Sequence, residues 1–495
     1  MLYEAIKRLT KHSFIYAAAP ALHKAVGFLL LPWVTLWIGE DVNYGKFTLA
    51  SMSLIVMGQL LGLNLLSGMT RYYFDYEEVR ERRVVVTTTL LLLLVTTGSA
   101  LLLSILFDEW IALQLFNDAK DAEAVVAVAL ILFCQTIGLV GLRYLQVLQQ
   151  SVSYGLLTTV KLFTEIGFKV YFMGVLGMTY MGMLYSVLVG EALLAIGTIL
   201  FIAIRIGLRF SMPVARRLMR FSYPLILSGL CMFGLHQADA FVIEYFDGTD
   251  DVGLYGLAYR FGSIANLVLL EAFGLIWFPY VFSLKNTDNL QLICRKVLTY
   301  FSFLMCFASL GVALFREEIV HFMCAPEFWG IEPAIPIILL GYVFWAVYQV
   351  TSTNFYLRER TGFVSVLMAA AALLNVAANV VLVPSLGYMG AAWGTLLTFA
   401  TLALVCWILA ERVFPVGFEV GRVVSPIVLG CALYGVSLFV PSSSLPVAMG
   451  VKVGLLLVFP LALVLGDFLA PEERSRLNAI LKRSGERSQA GPSDA

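Results

Sequence analysis

The sequence is poor in charged residues. Only 13% of its 495 residues are Asp, Glu, Lys or Arg, whereas 60% are hydrophobic and the mean hydropathy is +0.87. In a soluble globular protein about a quarter of the residues are charged. The 33 basic and 33 acidic residues cancel, so the net charge of zero gives no reason to expect a nucleic-acid partner. The composition predicts a membrane protein.

Residues that build metal, disulfide or catalytic sites are also scarce. The seven cysteines include no CxxC pair, and the four histidines lack the spacing of a metal site. The segment from Gly39 to Phe47 resembles a phosphate-binding loop only superficially, because its spacing is one residue too long and no Ser or Thr follows Lys46. We therefore predict no catalytic residue, metal ion or cofactor, and we do not expect an enzyme.

Long apolar runs dominate what is present. Runs of about 20 apolar residues span a bilayer as helices. The first run continues past Ala17–Ala19 to Gly39, which favours a spanning helix over a cleaved signal peptide. The sequence predicts an all-α, polytopic fold with about fourteen spans, near residues 14–38, 46–69, 84–107, 123–147, 154–175, 179–204, 221–246, 252–282, 293–315, 333–357, 362–383, 388–410, 422–440 and 447–468.

The distribution of Lys and Arg predicts the orientation. With a cytoplasmic amino terminus, most basic residues fall in cytoplasmic segments, and the predicted outer segments hold only Lys46, Lys120 and Arg316. Cytoplasmic loops carry this excess in membrane proteins. A single missed helix would invert every later loop and destroy the bias. We therefore expect a multi-pass protein of the cytoplasmic membrane with both termini in the cytoplasm.

Two short motifs recur at the same distance along the chain. The offset is 208 residues in both cases (253 − 45 and 390 − 182), which favours duplication over coincidence. Each unit holds six predicted helices, so both units enter the membrane in the same orientation and form a parallel repeat. The motifs are Gly45-x-Phe47-x-Leu49-Ala50 with Gly253-x-Tyr255-x-Leu257-Ala258, and Tyr180-Met-Gly182 with Tyr388-Met-Gly390.

The repeat predicts the domain organisation. Two six-helix lobes around a central cavity are a transporter architecture, in which substrate binds between the repeats near the bilayer midplane. The predicted parts are a cytoplasmic amino terminus (1–13), an N-lobe (14–204), a basic cytoplasmic linker (205–220), a C-lobe (221–410), two additional helices (422–468) and a cytoplasmic tail (471–495).

Charged residues inside the predicted spans are candidate functional residues, since such groups line cavities or pair with each other. Lys24 lies near the bilayer centre and has no acid three or four residues away in its own segment, whereas Lys161, Glu165 and Lys169 form one stripe at i, i+4 and i+8. We predict that the cations Lys24, Lys161, Lys169 and Arg260 bind substrate. The acids Glu165, Glu191, Asp239 and Glu271 are predicted to couple ions or to form structural pairs.

Two further predictions concern single positions. Asp239 lies ten residues before and Arg260 eleven residues after the centre of the acidic turn at 247–251, so a helical hairpin would bring them to nearly the same depth. We therefore expect the two side chains to form an ion pair. Lys452 lies near an outer helix end, where we expect it to extend its ammonium group toward water.

The chain resembles the bacterial polysaccharide-transport proteins, the O-antigen or lipid-linked oligosaccharide flippases of the multidrug/oligosaccharidyl-lipid/polysaccharide exporter superfamily. The resemblance extends over residues 10–470 and is carried by Pro224-Leu-Ile-Leu-Ser-Gly229, Gln237-Ala-Asp239, Asp251-Val-Gly-Leu-Tyr255-Gly-Leu-Ala258 and Asn375-x3-Asn379-Val-Val-Leu-Val-Pro384-x2-Gly387-x2-Gly390-Ala-Ala392. It implies export of an undecaprenyl-pyrophosphate-linked oligosaccharide by alternating access, driven by an ion gradient. The implied partners are that substrate, membrane lipids and other polysaccharide-assembly proteins.

Three alternatives stay open at the level of sequence. An ion-coupled multidrug antiporter of the same superfamily would be expected to carry an acid in the first helix, where this chain has His23-Lys24. A lipid II flippase would share the fourteen-helix plan. A membrane-embedded glycosyltransferase or polymerase would need a long outer loop with clustered acids and arginines, whereas the longest predicted outer loop is 316–332.

Overall fold

A computed structural model describes residues 22–62, 64–284, 287, 289–439, 445–466 and 468, and their regular structure is entirely helical. The predicted cytoplasmic ends, residues 1–13 and 471–495, lie outside the described residues, as does the start of the first predicted span. The all-α prediction is confirmed for the part of the chain that the structure describes.

Twenty α-helices account for most of the described chain. Short 3₁₀ segments (Ala119–Asp121 and Pro326–Ile331) and π-helical segments (Val170–Val175 and Asn266–Leu270) connect or extend them. The α-helices are α1 (22–29), α2 (Leu31–Ile38), α3 (Asp41–Leu61), α4 (Leu65–Tyr73), α5 (Val79–Leu106), α6 (Asp108–Phe116), α7 (Ala122–Val147), α8 (Ser151–Lys169), α9 (Tyr180–Arg205), α10 (Met212–His236), α11 (Asp239–Phe246), α12 (Thr249–Gly262), α13 (Glu271–Ser283), α14 (Leu290–Leu314), α15 (Arg316–Met323), α16 (Ala334–Leu357), α17 (Thr361–Leu386), α18 (Tyr388–Val413), α19 (Val420–Ser437) and α20 (Leu445–Leu465).

Every predicted apolar run coincides with helical structure in the described residues. Within the described residues, ten helices are long and apolar enough to cross a membrane, and the number rises to twelve if each of two bent pairs is one span. The pairs are α3 with α4, bent by 47°, and α12 with the 266–282 segment, bent by 45°. The two remaining runs are α1 with α2, and α8, which carries the charged stripe of Lys161, Glu165 and Lys169. The count of fourteen spans stays a prediction.

The described chain divides into two compact units. One contains residues of Met1–Arg260, Val320–Ala334 and Ser365–Thr398, and the other contains residues of Phe261–Ile319, Ile335–Val364 and Phe399–Ala495. This grouping follows different boundaries from those of the predicted lobes, 14–204 and 221–410. The division into two parallel lobes therefore stays a prediction.

In the second unit, an ion pair buries Lys452 of α20. Its ammonium nitrogen lies 2.7 and 2.9 Å from the two carboxylate oxygens of Glu318, and the residue is only 8% exposed. The prediction that Lys452 extends toward water is wrong, because a carboxylate within the protein satisfies the charge. The contact fastens α20 to α15.

Residues of the second repeated motif make equivalent contacts in the first unit. The Tyr180 hydroxyl donates to the Asp121 carboxylate, and the Tyr388 hydroxyl donates to the Gly330 carbonyl at 2.5 Å. The two acceptors are 209 positions apart (330 − 121), close to the 208-residue offset of the motif. The recurrence seen in the sequence thus extends to the packing of helix starts against preceding segments.

Candidate transport sites

Three helices, α1, α8 and α9, contribute charged groups to a cluster that we call the lysine cluster: His23, Lys161, Glu165, Lys169 and Glu191. The Lys161 ammonium lies 2.7 Å from Glu191 Oε1 and 3.4 Å from Glu165 Oε1. Glu165 and Glu191 are 6% and 2% exposed. Gln135 of α7 donates to Glu191 at 3.2 Å, so the carboxylate is held from α7 and α8 together.

Helix α1 reaches the same cluster. His23 Nε2 lies 3.6 Å from Glu165 Oε2, and His23 is within electrostatic range of Lys161, Lys169 and Arg260. Its neighbour Lys24, predicted to bind substrate, is exposed on α1. Three of the four predicted substrate-binding cations therefore lie near one another, and the fourth lies on the helix that contacts their cluster.

Lys169 and Arg260 differ from Lys161 in their surroundings. They lie close enough for direct repulsion, and Glu165 is the carboxylate that attracts Lys169. Arg260 donates to the Tyr44 hydroxyl at 3.5 Å. A Cβ atom on Gly27 would lie 3.1 Å from the Arg260 guanidinium, so α1 passes directly beside it. Two neighbouring cations suit an anion, since Lys and Arg pair strongly with phosphate in a low dielectric.

In a second cluster, neutral polar side chains surround the carboxylate of Asp239. We call Asp239, Tyr255, Asn375, Asn379 and Thr395 the Asp239 cluster. Oδ2 of Asp239 accepts from Tyr255 at 2.5 Å and from Thr395 at 3.1 Å, and Oδ1 accepts from Asn379 at 2.5 Å. With its amide nitrogen turned toward the carboxylate, Asn375 donates to Oδ1 at 2.8 Å. All five residues are at most 4% exposed.

The predicted ion pair between Asp239 and Arg260 is wrong. Among the described residues, the Asp239 carboxylate is held by hydroxyl and amide groups, and Arg260 is not one of its partners. The hairpin prediction placed both residues at one depth. Depth does not determine the side of a helix: Tyr255 and Arg260 are five residues apart on α12, about 140° around its axis. With Tyr255 facing Asp239, Arg260 faces elsewhere.

The chemistry of the Asp239 cluster suits a small cation or a proton. A buried carboxylate is costly without a neutralising partner, and the described side chains that donate to it are neutral amides and hydroxyls. Asp239 starts α11 directly after a break at 237–238, and discontinuous helices coordinate coupling ions in transporters. A cavity of about 130 Å³ beside the carboxylate is lined by Tyr44, His236 and Tyr259, among others.

Glu271 is the first residue of α13. It is exposed and belongs to the second compact unit. Its predicted role in ion coupling or pairing stays a prediction.

Sequence reasoning did not assign four members of the Asp239 cluster. Asn375 and Asn379 appeared only as part of a family motif, although polar residues at i and i+4 in an apolar helix are themselves a signal. Tyr255 appeared only in the repeat and in a family motif. Thr395 gave no signal, because threonines are common in spanning helices.

A family model for polysaccharide biosynthesis proteins matches residues 47–333, more than half of the chain. The chain belongs to this family. A probable low-salt glycan biosynthesis flippase of Haloferax volcanii is 24% identical over 259 residues, or 50% of this chain and 54% of that protein. The family member thus spans about half the length of this relative.

Solved structures show the same fold. The lipid II flippase MurJ, in an inward closed conformation, superposes with a TM-score of 0.75 at 12% identity over 90% of this chain and 98% of its own. An inward-facing multidrug resistance transporter of the MATE family gives a TM-score of 0.62 at 16% identity, over 83% and 98%. This family member is therefore a multi-pass membrane protein with a transporter fold.

Proposed function

We propose that this protein is a flippase that moves a lipid-linked oligosaccharide across the cytoplasmic membrane for the assembly of a surface polysaccharide. Membership of the polysaccharide biosynthesis family and the match to a glycan flippase support this function. The fold supports a transport mechanism of alternating access, in which protein conformations rather than covalent chemistry move the substrate. Undecaprenyl pyrophosphate is the lipid carrier, and both termini of the protein are cytoplasmic.

The grouping of Lys161, Lys169 and Arg260 is the observation that carries the proposal. Lys161 contacts both carboxylates of the group, Glu191 at 2.7 Å and Glu165 at 3.4 Å, whereas Lys169 and Arg260 lie close enough to repel each other. Lys161 is already neutralised by the two carboxylates and has a structural part. Lys169 and Arg260 bind the pyrophosphate of the substrate, and Lys24 on α1 assists as the headgroup enters.

The Asp239 cluster gives the protein an ion-coupling site. A cation or proton bound at Asp239 changes the charge of the cluster during the cycle, and an ion gradient thereby drives export. Asp239 is therefore assigned to coupling, whereas Glu165 and Glu191 hold Lys161. Membrane lipids surround the protein, and other polysaccharide-assembly proteins receive the exported substrate.

Replacement of the two binding cations tests the function. In cells that depend on this protein, Lys169→Gln with Arg260→Gln should lower surface polysaccharide at least tenfold and cause lipid-linked oligosaccharide to accumulate in the inner leaflet. Lys120→Gln is the matched control, because Lys120 is an exposed cation distant in sequence from both clusters. Normal export by the double variant at wild-type protein abundance would refute the proposal.

The Asp239 cluster would also suit a cation-coupled multidrug antiporter, the second candidate. Purified protein in liposomes separates the candidates. A flippase exposes an undecaprenyl-pyrophosphate oligosaccharide to an enzyme added outside, whereas an antiporter moves a fluorescent organic cation against an ion gradient. Movement of the organic cation alone would favour the antiporter, and movement of lipid II in place of the oligosaccharide would indicate a lipid II flippase.

A further inference from the structure

The first repeated motif forms a contact between α3 and α12 that only glycine permits. A Cβ atom on Gly45 would lie 1.9 Å from the carbonyl oxygen of Thr249. A Cβ atom on Gly253 would lie 2.2 Å from the carbonyl oxygen of Asp41 and 3.0 Å from the amide nitrogen of Gly45. Backbone atoms cannot move aside as a flexible side chain does, so the two helices touch here through their backbones.

The contact is reciprocal under the sequence repeat. Gly45 corresponds to Gly253 and Asp41 corresponds to Thr249, each at 208 residues (253 − 45 and 249 − 41). Exchanging the two halves of the sequence therefore converts one glycine contact into the other. Such a self-complementary pattern is the signature of a two-fold interface, here within a single chain.

A second pair of contacts follows the same rule. Asn117 donates to Glu244 Oε1 at 2.8 Å, and the backbone amide of Ala325 donates to Thr35 Oγ1 at 3.2 Å. The corresponding positions are 208 and 209 residues apart (325 − 117 and 244 − 35). All these residues belong to segments at the end of the molecule that carries the 247–251 turn, which the sequence predicts to be outside the cell.

Tyr255 connects the glycine contact to the Asp239 cluster. It follows Gly253 by two residues on α12, and its hydroxyl donates to Asp239 at 2.5 Å. On the same helix, a Cβ atom on Gly256 would lie 2.7 Å from Thr48 Oγ1 of α3. One helix thus packs on α3 through two glycines and is tied to Asp239 by a hydrogen bond.

We propose that Tyr255 is a positioning residue that holds α12 against α3, so that an occupant of the Asp239 cluster that displaces the Tyr255 hydroxyl releases the glycine contact. This inference deepens the proposed function. It rests on that function only for the claim that opening of the outer side releases the substrate. A small cation bound at Asp239 takes the place of the Tyr255 donor. The reciprocal contact is then the closure of the outer side, and its release lets the substrate leave.

Accessibility of position 48 measures the contact. Thr48 is 5% exposed beside Gly256, so Thr48→Cys places a small thiol at the closure. Intact cells and inside-out vesicles are treated with a membrane-impermeant maleimide, and labelling at residue 48 is read by mass spectrometry, which leaves the native cysteines in place. We expect low labelling from both sides in the otherwise unchanged protein.

Tyr255→Phe removes the hydroxyl and keeps the ring. We expect it to raise labelling at position 48 at least fivefold in intact cells and not in inside-out vesicles. Tyr245→Phe is the control, because Tyr245 is 81% exposed. Combining Tyr255→Phe with Asp239→Asn should raise labelling no further, because both changes remove the same link. Equal labelling of the two tyrosine variants, or fully additive effects of the pair, would overturn the proposal.

Glycine variants test the reciprocal contact itself. Gly45→Ala and Gly253→Ala should raise labelling to a similar extent, whereas Gly197→Ala should not, because a Cβ there meets nothing within 4 Å. Unequal responses at full abundance would contradict the reciprocal contact. If the glycine variants fail to accumulate, the Tyr255 comparison still decides. Labelling needs no substrate. The labelling results therefore test the role of Tyr255 separately from the export measurements, which test the flippase function.

Discussion

The two halves of the sequence repeat a scaffold but not its chemistry. Shifted by 208 residues, the lysine cluster of the first half falls on apolar positions of the second. The correspondence is Lys161 with Ala369, Glu165 with Leu373, Lys169 with Ala377 and Glu191 with Phe399. An apolar residue costs nothing at these depths, so the charges in the first half are an addition that the common scaffold does not require.

The reverse comparison gives the same result. The members of the Asp239 cluster correspond to Leu31 (Asp239), Phe47 (Tyr255), Gly167 (Asn375), Tyr171 (Asn379) and Val187 (Thr395) in the first half. The lysine cluster thus pairs cations with carboxylates, whereas the Asp239 cluster has one acid among neutral donors. From this contrast we propose a division of function, in which the lysine cluster together with Arg260 binds an anionic headgroup and the Asp239 cluster binds a small cation.

The largest expected effect on the first half comes from replacing Lys161. Lys161→Gln leaves Glu165 and Glu191 buried without this cation, and removal of one partner of a buried pair costs about 3–5 kcal/mol. We expect strongly reduced abundance and a lower unfolding temperature in detergent. Lys169→Gln on the same helix is the matched control and should keep nearly normal stability. Equal stability of the two variants would show that Lys161 has no structural part.

In the second half, Asp239→Asn is expected to abolish most ion-driven transport. The amide turns one acceptor into a donor that faces donors, and loss of a hydrogen-bonded charge costs about 1–3 kcal/mol. We expect at least a tenfold loss of ion-driven transport with the protein still folded, measured as export in cells and as flux in liposomes. The exposed Asp247→Asn variant should transport normally. Undiminished ion-driven flux in Asp239→Asn would remove the coupling role.

A glycine packs against one residue of each cluster, so an alanine at either glycine tests one cluster separately. A Cβ on Gly190 would lie 2.4 Å from Glu165 Cγ, and one on Gly394 would lie 2.5 Å from Asn379 Oδ1. We expect Gly190→Ala and Gly394→Ala to cost about 1–3 kcal/mol, as over-packing does, and to impair substrate binding and ion binding respectively. Gly197→Ala, on α9 with Gly190, should be neutral. Denaturation in detergent and the two binding assays check this, and a neutral Gly190→Ala would contradict it.

The mildest change is Thr395→Val, which gives the second half the residue that the first half carries at Val187. It removes one hydroxyl that donates to Asp239 at 3.1 Å. The loss is about 1 kcal/mol, the net value of one hydrogen bond, or roughly a fivefold weaker apparent affinity for the coupling cation. Titration of transport against cation concentration measures it, and an unchanged affinity would exclude Thr395 from the site.

Much of the fold and part of the site follow from local patterns. Apolar runs predict the helices because a spanning segment must satisfy its own backbone. The stripe of Lys161, Glu165 and Lys169 follows from the period of the helix, and the structure shows Lys161 beside Glu165. The prediction of an ion pair between Asp239 and Arg260 was wrong. Counting residues from the turn gave the depth of each side chain, whereas helix packing determines which way each side chain faces.

The membrane class, the helices, the repeat and the ionisable residues within the spans could all be read from the sequence. The partners of those residues depend on the tertiary structure. Glu191 meets Lys161 across 30 residues, and Asp239 meets Asn379 and Thr395 across 140 and 156 residues. The physical reason is that periodicity fixes which residues share a helix face, while the rotation of each helix against its neighbours depends on close contacts such as those of Gly45 and Gly253. Those contacts are long-range, and no local pattern contains them.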